Sequence, residues 1–252
     1  MNLPTSLLAM VDASLGGKTG CDLPQGKNLV GAFHPPSLVL ADPQTLETLP
    51  EVELRNGLAE ALKHGVLGDK TLFEHLTRGD KTLFERLTRG DEALLERLRE
   101  GMPEAGEALE QVVRQAMAVK LRVIEKDPYE RGERATLNLG HTLGHALEQA
   151  SDYRMRHGEA VAIGMLAAAR LAEKMGVAEQ GTLAEMVEAA LRRLGLPTEM
   201  PPGLERGRVL RAMMLDKKRR SGKLRVTLPV RIGACRWGVE IDDPSELMDM
   251  VG

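Results

Sequence analysis

The stretch TLNLGHTLGHALEQ, residues 136–149, sets His141 and His145 one helical turn apart, with Asn138 just upstream and Glu148 just downstream. Two imidazoles at i and i+4 can grip one zinc ion, as they do in the HExxH signature. The glutamate that acts as general base in that signature is missing, so a protease of that type is not indicated. Asn138, His141 and His145 align on one predicted helix face, while Leu139, Leu143 and Leu147 face a core. Gly140 and Gly144 would let a backbone or ligand approach closely. His157 follows in MRHGEAVAIGM, at the start of a very apolar helix. The positive end of a helix disfavours an imidazolium there and leaves the neutral form that binds metal. Three of the six histidines thus fall within 17 residues. That is more than a satisfied core needs, and the segment reads as a functional site.

Other segments carry chemistry-bearing side chains. In ELRNGLAEALKHGVL (53–67), Leu54, Leu58 and Leu62 make the apolar stripe, and Asn56, Glu60, Lys63 and His64 share the opposite face. From this segment alone, that face is a solvated one with a Glu–Lys pair. In QVVRQAMAVKLRVIEKD (111–127), Lys120 falls inside a stripe made by Val113, Ala116 or Met117, and Ile124. A lysine there either snorkels outward or meets an anion in a pocket. The loop VDASLGGKTGCDLPQGKN (11–28) contains GGKT, yet the phosphate-loop pattern needs a glycine where Asp12 stands. What remains is a glycine-rich loop with Lys18 and Lys27, suited to an anionic ligand. The basic run DKKRRSGK (216–223) reads on its own as a solvated loop.

These groups must be held by the elements around them. Residues 1–50 are rich in glycine and proline, with short apolar runs such as SLVLA (37–41), and read as strands and loops. From Glu51 the pattern turns helical, with predicted helices at 51–67, 105–126, 138–150, 158–175, 180–194 and 205–216. Gly176 and Gly195 stand where helix C-caps belong. The segment LRVTLPVRIGACRWGVEI (224–241) reads as a β-hairpin. The expected layout is a small α/β region, 1–50, followed by a mainly helical domain, 51–252, with a C-terminal hairpin.

The 252 residues suffice for a substantial core, and 42% are hydrophobic. Only 2% are aromatic, so Leu, Val, Ala and Met must fill the interior. Lys+Arg number 34 against 37 Asp+Glu, which gives no reason to expect nucleic acid or an anionic membrane as partner. Cys21 and Cys235 are too few and too far apart for a disulfide framework, and a reducing cytoplasm is expected. The mildly apolar start lacks a basic n-region and is broken by Asp12, so no signal peptide is expected. The most apolar run, AVAIGMLAAA (160–169), is too short to span a bilayer.

One segment repeats. GDKTLFEHLTR (68–78) is followed at once by GDKTLFERLTR (79–89), with GDEALLERLRE (90–100) a looser third copy. Eleven residues are close to three helical turns, so the copies can share one apolar face. Three short units are few for a solenoid, and a local duplication in a surface helical segment is expected.

Taken together and in order, several blocks resemble the 3-dehydroquinate synthase family of sugar phosphate cyclases. They are PTSLLAMVDASLGGKTGCDLPQGKNLVGAFHPP, TLETLPEVELRNGLAEALKHG, NLGHTLGHALE, HGEAVAIGM and DKK. The resemblance spans nearly the whole chain apart from the copies. It implies a lyase of the shikimate pathway, which leads to the aromatic amino acids, using NAD and Zn2+ (or Co2+). The reaction implied converts 3-deoxy-D-arabino-heptulosonate 7-phosphate to 3-dehydroquinate and phosphate. One alcohol is oxidised transiently, phosphate is eliminated, the ketone is reduced back, and an intramolecular aldol step closes the ring.

The same resemblance implies that Glu60, His141 and His157 hold the metal. His145 would instead contact the substrate phosphate, together with Lys18, Asn28, Asn138 and a lysine of the DKK loop, Lys217 or Lys218. Asp12, Lys63, Lys120 and Arg134 match residues that hold the hydroxyls and carboxylate of the carbocycle. With Asn138 and His145 they form the catalytic set. Thr5, Ser6, Lys18, Lys27 and the run Thr45, Leu46, Glu47, Thr48 match NAD contacts. Residues 1–50 become the remnant of a dinucleotide-binding α/β domain, and a cytoplasmic homodimer is implied.

Members of the family carry about one more α/β half-domain before PTSLLAMVD, with a glycine-rich turn for the NAD pyrophosphate at a helix N-terminus. The sequence as it stands is therefore expected to bind NAD weakly and to expose apolar surface on residues 1–50. Two rival expectations stand beside this. One is another sugar phosphate cyclase with a different heptulose or hexose phosphate. The other is a catalytically impaired fragment, a metal-binding helical module without turnover.

Overall fold

Proline at position 50 and acidic residues just after it open the first long helix, and from there the leucine stripes dictate the architecture. In the computed structural model, residues 1–23, 26–78, 103–219 and 223–251 are described. Helix α1 (Glu51–Gly68) carries Glu51 and Glu53 in its first turn, where they complement the helix dipole. Asp69 then caps α2 (Lys70–Arg78) by accepting from the amides of Thr71 at 2.9 Å and Leu72 at 3.1 Å. After these come α3 (Pro103–Lys126), α4 (His141–Ala150), α5 (His157–Lys174), α6 (Leu183–Arg193) and α7 (Arg206–Arg219). Strands β3 (Leu224–Arg231) and β4 (Ala234–Ile241) form an antiparallel hairpin in which Leu224 pairs with Ile241, followed by the short α8 (Ser245–Met248).

Helix α5 is the spine. Its residues from Ala160 to Ala169 are all buried, and α1, α4, α6 and β3 pack around it. Small residues make that packing close. A Cβ added to Gly164 would lie 2.0 Å from the carbonyl oxygen of Gly140, so α4 starts in direct backbone contact with α5. Gly140 itself sits at φ 78°, the left-handed region, immediately before α4. The predicted helix 138–150 therefore starts late: Asn138 ends a 3-10 helix, Glu133–Asn138, and the α-helix begins only at His141. Asn138 therefore belongs to the preceding element and not to the α4 face. Gly176 and Gly195 take φ 65° and 64° just beyond α5 and α6, as C-caps do.

Residues 1–50 build less. A five-residue π-helix, Ala9–Ala13, is followed by two short antiparallel strands, β1 (Cys21–Leu23) and β2 (Gly26–Val30), and a 3-10 helix, Pro43–Thr48. The SLVLA run is not a strand; Val39 makes one isolated bridge to Asn2, and Leu38 and Leu40 stay exposed. Leu7, Met10, Val11 and Leu46 are buried in the common core. Exposed apolar side chains range from 47% for Phe33 to 72% for Met1, as expected for this region. No helix among the described residues is long and apolar enough to cross a membrane. Of the repeat, the first copy forms the end of α1 and α2, and the other two lie outside the described residues.

Candidate metal and anion site

Three elements deliver the metal-ligating candidates. Glu60 lies mid-way along α1, His141 opens α4 and His157 opens α5. One donor atom from each lies within 4.8 Å of the other two. The Nε2 atoms of His141 and His157 approach Oε1 of Glu60 at 3.7 and 3.4 Å, ion-pair distances and not hydrogen bonds. The Glu60 side chain is 0% exposed; Lys63 pairs with its Oε2, while Oε1 makes no hydrogen bond and faces the two imidazole nitrogens. A buried carboxylate oxygen with no hydrogen bond, faced by two imidazole nitrogens, is the environment a divalent cation would complete. The donor set of one carboxylate and two histidines fits zinc or cobalt chemistry.

The electrostatics agree with that assignment. Burial opposes ionisation of Glu60, but Lys63 and the two histidines hold its carboxyl well below the usual range. Burial, reinforced by Lys63, pushes His141 down to about 3, so it is neutral and ready to ligate. His157 behaves differently. Burial would lower it, but Glu148 and Glu60 together hold it up at about 9. The neutral imidazole expected from the helix end is thus overridden by two carboxylates.

His145 is exposed on α4, its ring 5.1 Å from that of His141 and 6.1 Å from that of His157. A second possible trio, His145 with Glu148 and His157, shares the His157 ligand. Its imidazole partner lies on the exposed side of α4, whereas the Glu60 trio centres on a buried carboxylate.

Beside the trio lies a cationic cluster. Lys63, 1% exposed, pairs with Glu60 and stands 3.8 Å from Oδ1 of Asp12. Lys120 donates to the Asp12 backbone carbonyl at 2.6 Å and meets Oδ1 at 2.7 Å. Burial resists ionisation of Asp12, yet Lys120 and Lys63 bring it down to about 2. Arg134, buried, donates to the carbonyls of Gly16 at 2.8 Å and of Pro128, and its guanidinium lies over the Phe33 ring. The α1 face read as solvated is in fact covered: Asn56, Glu60, Lys63 and His64 are all buried.

Other predicted residues scatter around this centre. Lys18 pairs with Glu130, and Asn138 donates to the same carboxylate at 3.1 Å. Thr5 is exposed and Ser6 partly so, with Ser6 Oγ accepting from the Ala9 amide at 3.3 Å. Thr45, Leu46, Glu47 and Thr48 form the 3-10 helix against α3; Thr45 Oγ1 donates to the Asp42 carbonyl and Leu46 points into the core. The side chains of Lys27, Asn28, Lys217 and Lys218 lie outside the described positions.

Sequence reasoning gave no role to two groups. Glu130 bridges Lys18 and Asn138 from a turn at φ 55°, and no motif marked it. His64 is 0% exposed, 3.8 Å from Asp12 Oδ1, and is held by burial and Lys63 at about 3. Its position four residues after Glu60 on the same helix was the available signal.

With this geometry in hand, comparisons identify relatives. The family model described as 3-dehydroquinate synthase N-terminal matches residues 1–56, and the C-terminal one matches residues 57–219. The 3-dehydroquinate synthase of Symbiobacterium thermophilum is 44% identical over 253 residues, covering 95% of this chain and 65% of that protein. The one from Synechococcus sp. is 46% identical over 234 residues, 92% of this chain and 59% of that protein. The chain thus spans less than two thirds of the length of either relative. Among solved structures, 2-epi-5-epi-valiolone synthase from Streptomyces hygroscopicus subsp. jinggangensis 5008, with NAD+ and Zn2+ bound, gives a TM-score of 0.77 at 30% identity. The match covers 98% of this chain and 64% of that one. A 2-deoxy-scyllo-inosose synthase complexed with carbaglucose-6-phosphate, NAD+ and Co2+ has the same TM-score, 0.77, at 23% identity, and speaks for the shared fold alone.

Proposed function

The chain belongs to the 3-dehydroquinate synthase family, and from that premise we propose that it carries the metal and substrate half of that reaction. The substrate is a phosphorylated sugar acid, 3-deoxy-D-arabino-heptulosonate 7-phosphate, and the products are 3-dehydroquinate and phosphate. The observation that supports this best is the buried Glu60–His141–His157 trio set directly against Lys63, Lys120 and Asp12.

Glu60, His141 and His157 would hold a Zn2+ or Co2+ ion, which as a Lewis acid lowers the pKa of a bound alcohol and polarises the ketone made from it. Residues 1–50 would carry the NAD contacts Thr5, Ser6, Lys18, Lys27 and Thr45–Thr48, and residues 51–252 the metal and substrate. The chain's own side chains mostly position the substrate and neutralise its charge. Asp12, Lys63, Lys120 and Arg134 would together hold the ring hydroxyls and the carboxylate. Lys18, Asn28, Asn138, His145 and Lys217 or Lys218 take the phosphate. Their present partners, Asp12 for Lys120 and backbone carbonyls for Arg134, keep these cations oriented in the free site. The balanced charge and the two free cysteines support a cytoplasmic protein that acts on neither nucleic acid nor membrane, and the family resemblance alone implies a homodimer.

A binding panel tests this against a cyclase of another sugar phosphate. Calorimetry on the metal-loaded protein should give tighter binding of the heptulosonate phosphate than of a hexose phosphate or a heptose phosphate without the carboxylate. Lys120→Met should remove that preference. Equal affinity for carboxylate-free substrates, untouched by Lys120→Met, would point to the other cyclases.

A further inference from the structure

The two histidines of the trio share one arrangement. In His141, Nδ1 lies 3.0 Å from the Leu139 carbonyl oxygen while Nε2 faces Glu60. In His157, Nε2 faces Glu60 and Nδ1 lies 3.5 Å from Oε1 of Glu148. Each ring thus has an acceptor at Nδ1 and turns Nε2 to the same carboxylate. For His141 the acceptor is a backbone carbonyl, and for His157 it is a second carboxylate. Glu148 is 4% exposed and lies two turns after His141 on α4, so one helix supplies both a ligand and the group behind the other ligand. Burying a carboxylate is costly unless a donor or a positive charge compensates, and the Nδ1 edge of His157 is the side of the ring that faces Glu148.

We infer that Glu148 is a positioning residue for the metal centre: it accepts the Nδ1 proton of His157, fixes the tautomer that leaves Nε2 to the ion, and raises the affinity of the trio. This role rests on the metal assignment above. Carboxylates behind a ligating histidine orient the ring and increase its basicity, and their loss typically costs about 10–100-fold in metal affinity.

The test uses the full chain with Zn2+ and Co2+ alone. Chelator competition gives the affinity, and the d–d absorption of the Co2+ form reports ligand geometry. Glu148→Ala should bind about 10–100-fold more weakly than wild type while keeping one ion per chain. Glu148→Gln should fall between, because its amide oxygen still accepts the proton but carries no charge. Both should alter the Co2+ spectrum. Melts of the metal-free variants check folding, and if Glu148→Ala does not fold, Glu148→Gln carries the test. Wild-type affinity and an unchanged spectrum in Glu148→Gln and Glu148→Ala would overturn the role. So would loss of the ion in Glu148→Gln with full retention in Glu60→Gln, since Glu148 would then be a direct ligand. A wild-type chain that takes up no ion would sink the metal assignment itself, a distinct result.

Discussion

Residues 1–50 and the helical body after them hold their site residues in different ways. In the body, Leu58, Leu62, Leu143, Leu147 and Ile163 are all 0% exposed, and α1, α4, α6, α8 and β3 pack around α5. The ligand helices stand on that packing. The first fifty residues have two short strands and leave Leu3, Val30, Phe33, Leu38 and Leu40 exposed. Among their described residues, the buried apolar side chains Leu7, Met10, Val11 and Leu46 belong to the core of the body. Polar ties add to this attachment. Lys120 grips both the backbone and the carboxylate of Asp12, and Arg134 donates to Gly16. The charged groups proposed to bind substrate are therefore also the ties that hold this segment in place. Its substrate-facing geometry is borrowed from the helices.

Cutting that tie should give the largest effect. Asp12→Ala leaves Lys63 and Lys120 close together and short of one carboxylate. Removing one partner from a buried pair costs roughly 3–5 kcal/mol, and the 25% exposure of the Asp12 side chain places the expected loss at or below the low end. Denaturant melts should show it, and limited proteolysis should cut within residues 1–50 before the body. Uniform protease resistance would mean that the apolar cluster alone anchors the segment.

A substitution inside the body should act the other way. Gly164→Ala pushes a methyl into the Gly140 carbonyl and forces α4 off α5. An overpacking cost of about 1–3 kcal/mol is expected, with weaker metal binding because His141 opens α4. Residues 1–50 should keep their protease protection. Simultaneous loosening of both regions would erase the distinction.

The pH dependence sharpens the contrast with a smaller effect. His64 sits at about 3 in the folded protein against about 6.5 unfolded. The unfolded chain therefore binds a proton that the folded one refuses, and stability falls as pH drops below about 6.5, by up to about 1.4 kcal/mol per pH unit. His141, also at about 3, behaves alike. Asp12, at about 2, adds its loss only below its unfolded value near 3.8. His157 has the opposite sign: its contribution is complete below about 6.5 and is lost as pH rises through about 9. In the metal-free protein, His64→Leu should remove close to half of the slope between pH 6.5 and 5. An unchanged slope would place the acid sensitivity elsewhere.

The leucine periodicity that defines the helices from Glu51 onward was plain in the sequence, as were the caps at Gly176 and Gly195. What periodicity could not say is whether a polar face is covered. Asn56, Glu60, Lys63 and His64 look like a solvated face until α4, α5 and the Asp12 turn close over it, and those partners are distant in sequence. Gly140 reads in the sequence as a point of close approach, and it does lie against Gly164, but local pattern does not reveal the left-handed φ that separates Asn138 from α4. The charge of His157 likewise follows from Glu60 and Glu148, both on other helices, and not from its own helix end. The ligand roles themselves came from family resemblance, because the i, i+4 spacing alone pointed equally to His145.

Metal stoichiometry in His157→Ala and His145→Ala is the most direct test of the centre proposed here. Glu60, His141 and His157 form the trio, so purified His157→Ala should lose the divalent ion that the parent chain holds one-to-one, while His145→Ala should retain it. Retention by His157→Ala together with loss by His145→Ala would contradict the assignment.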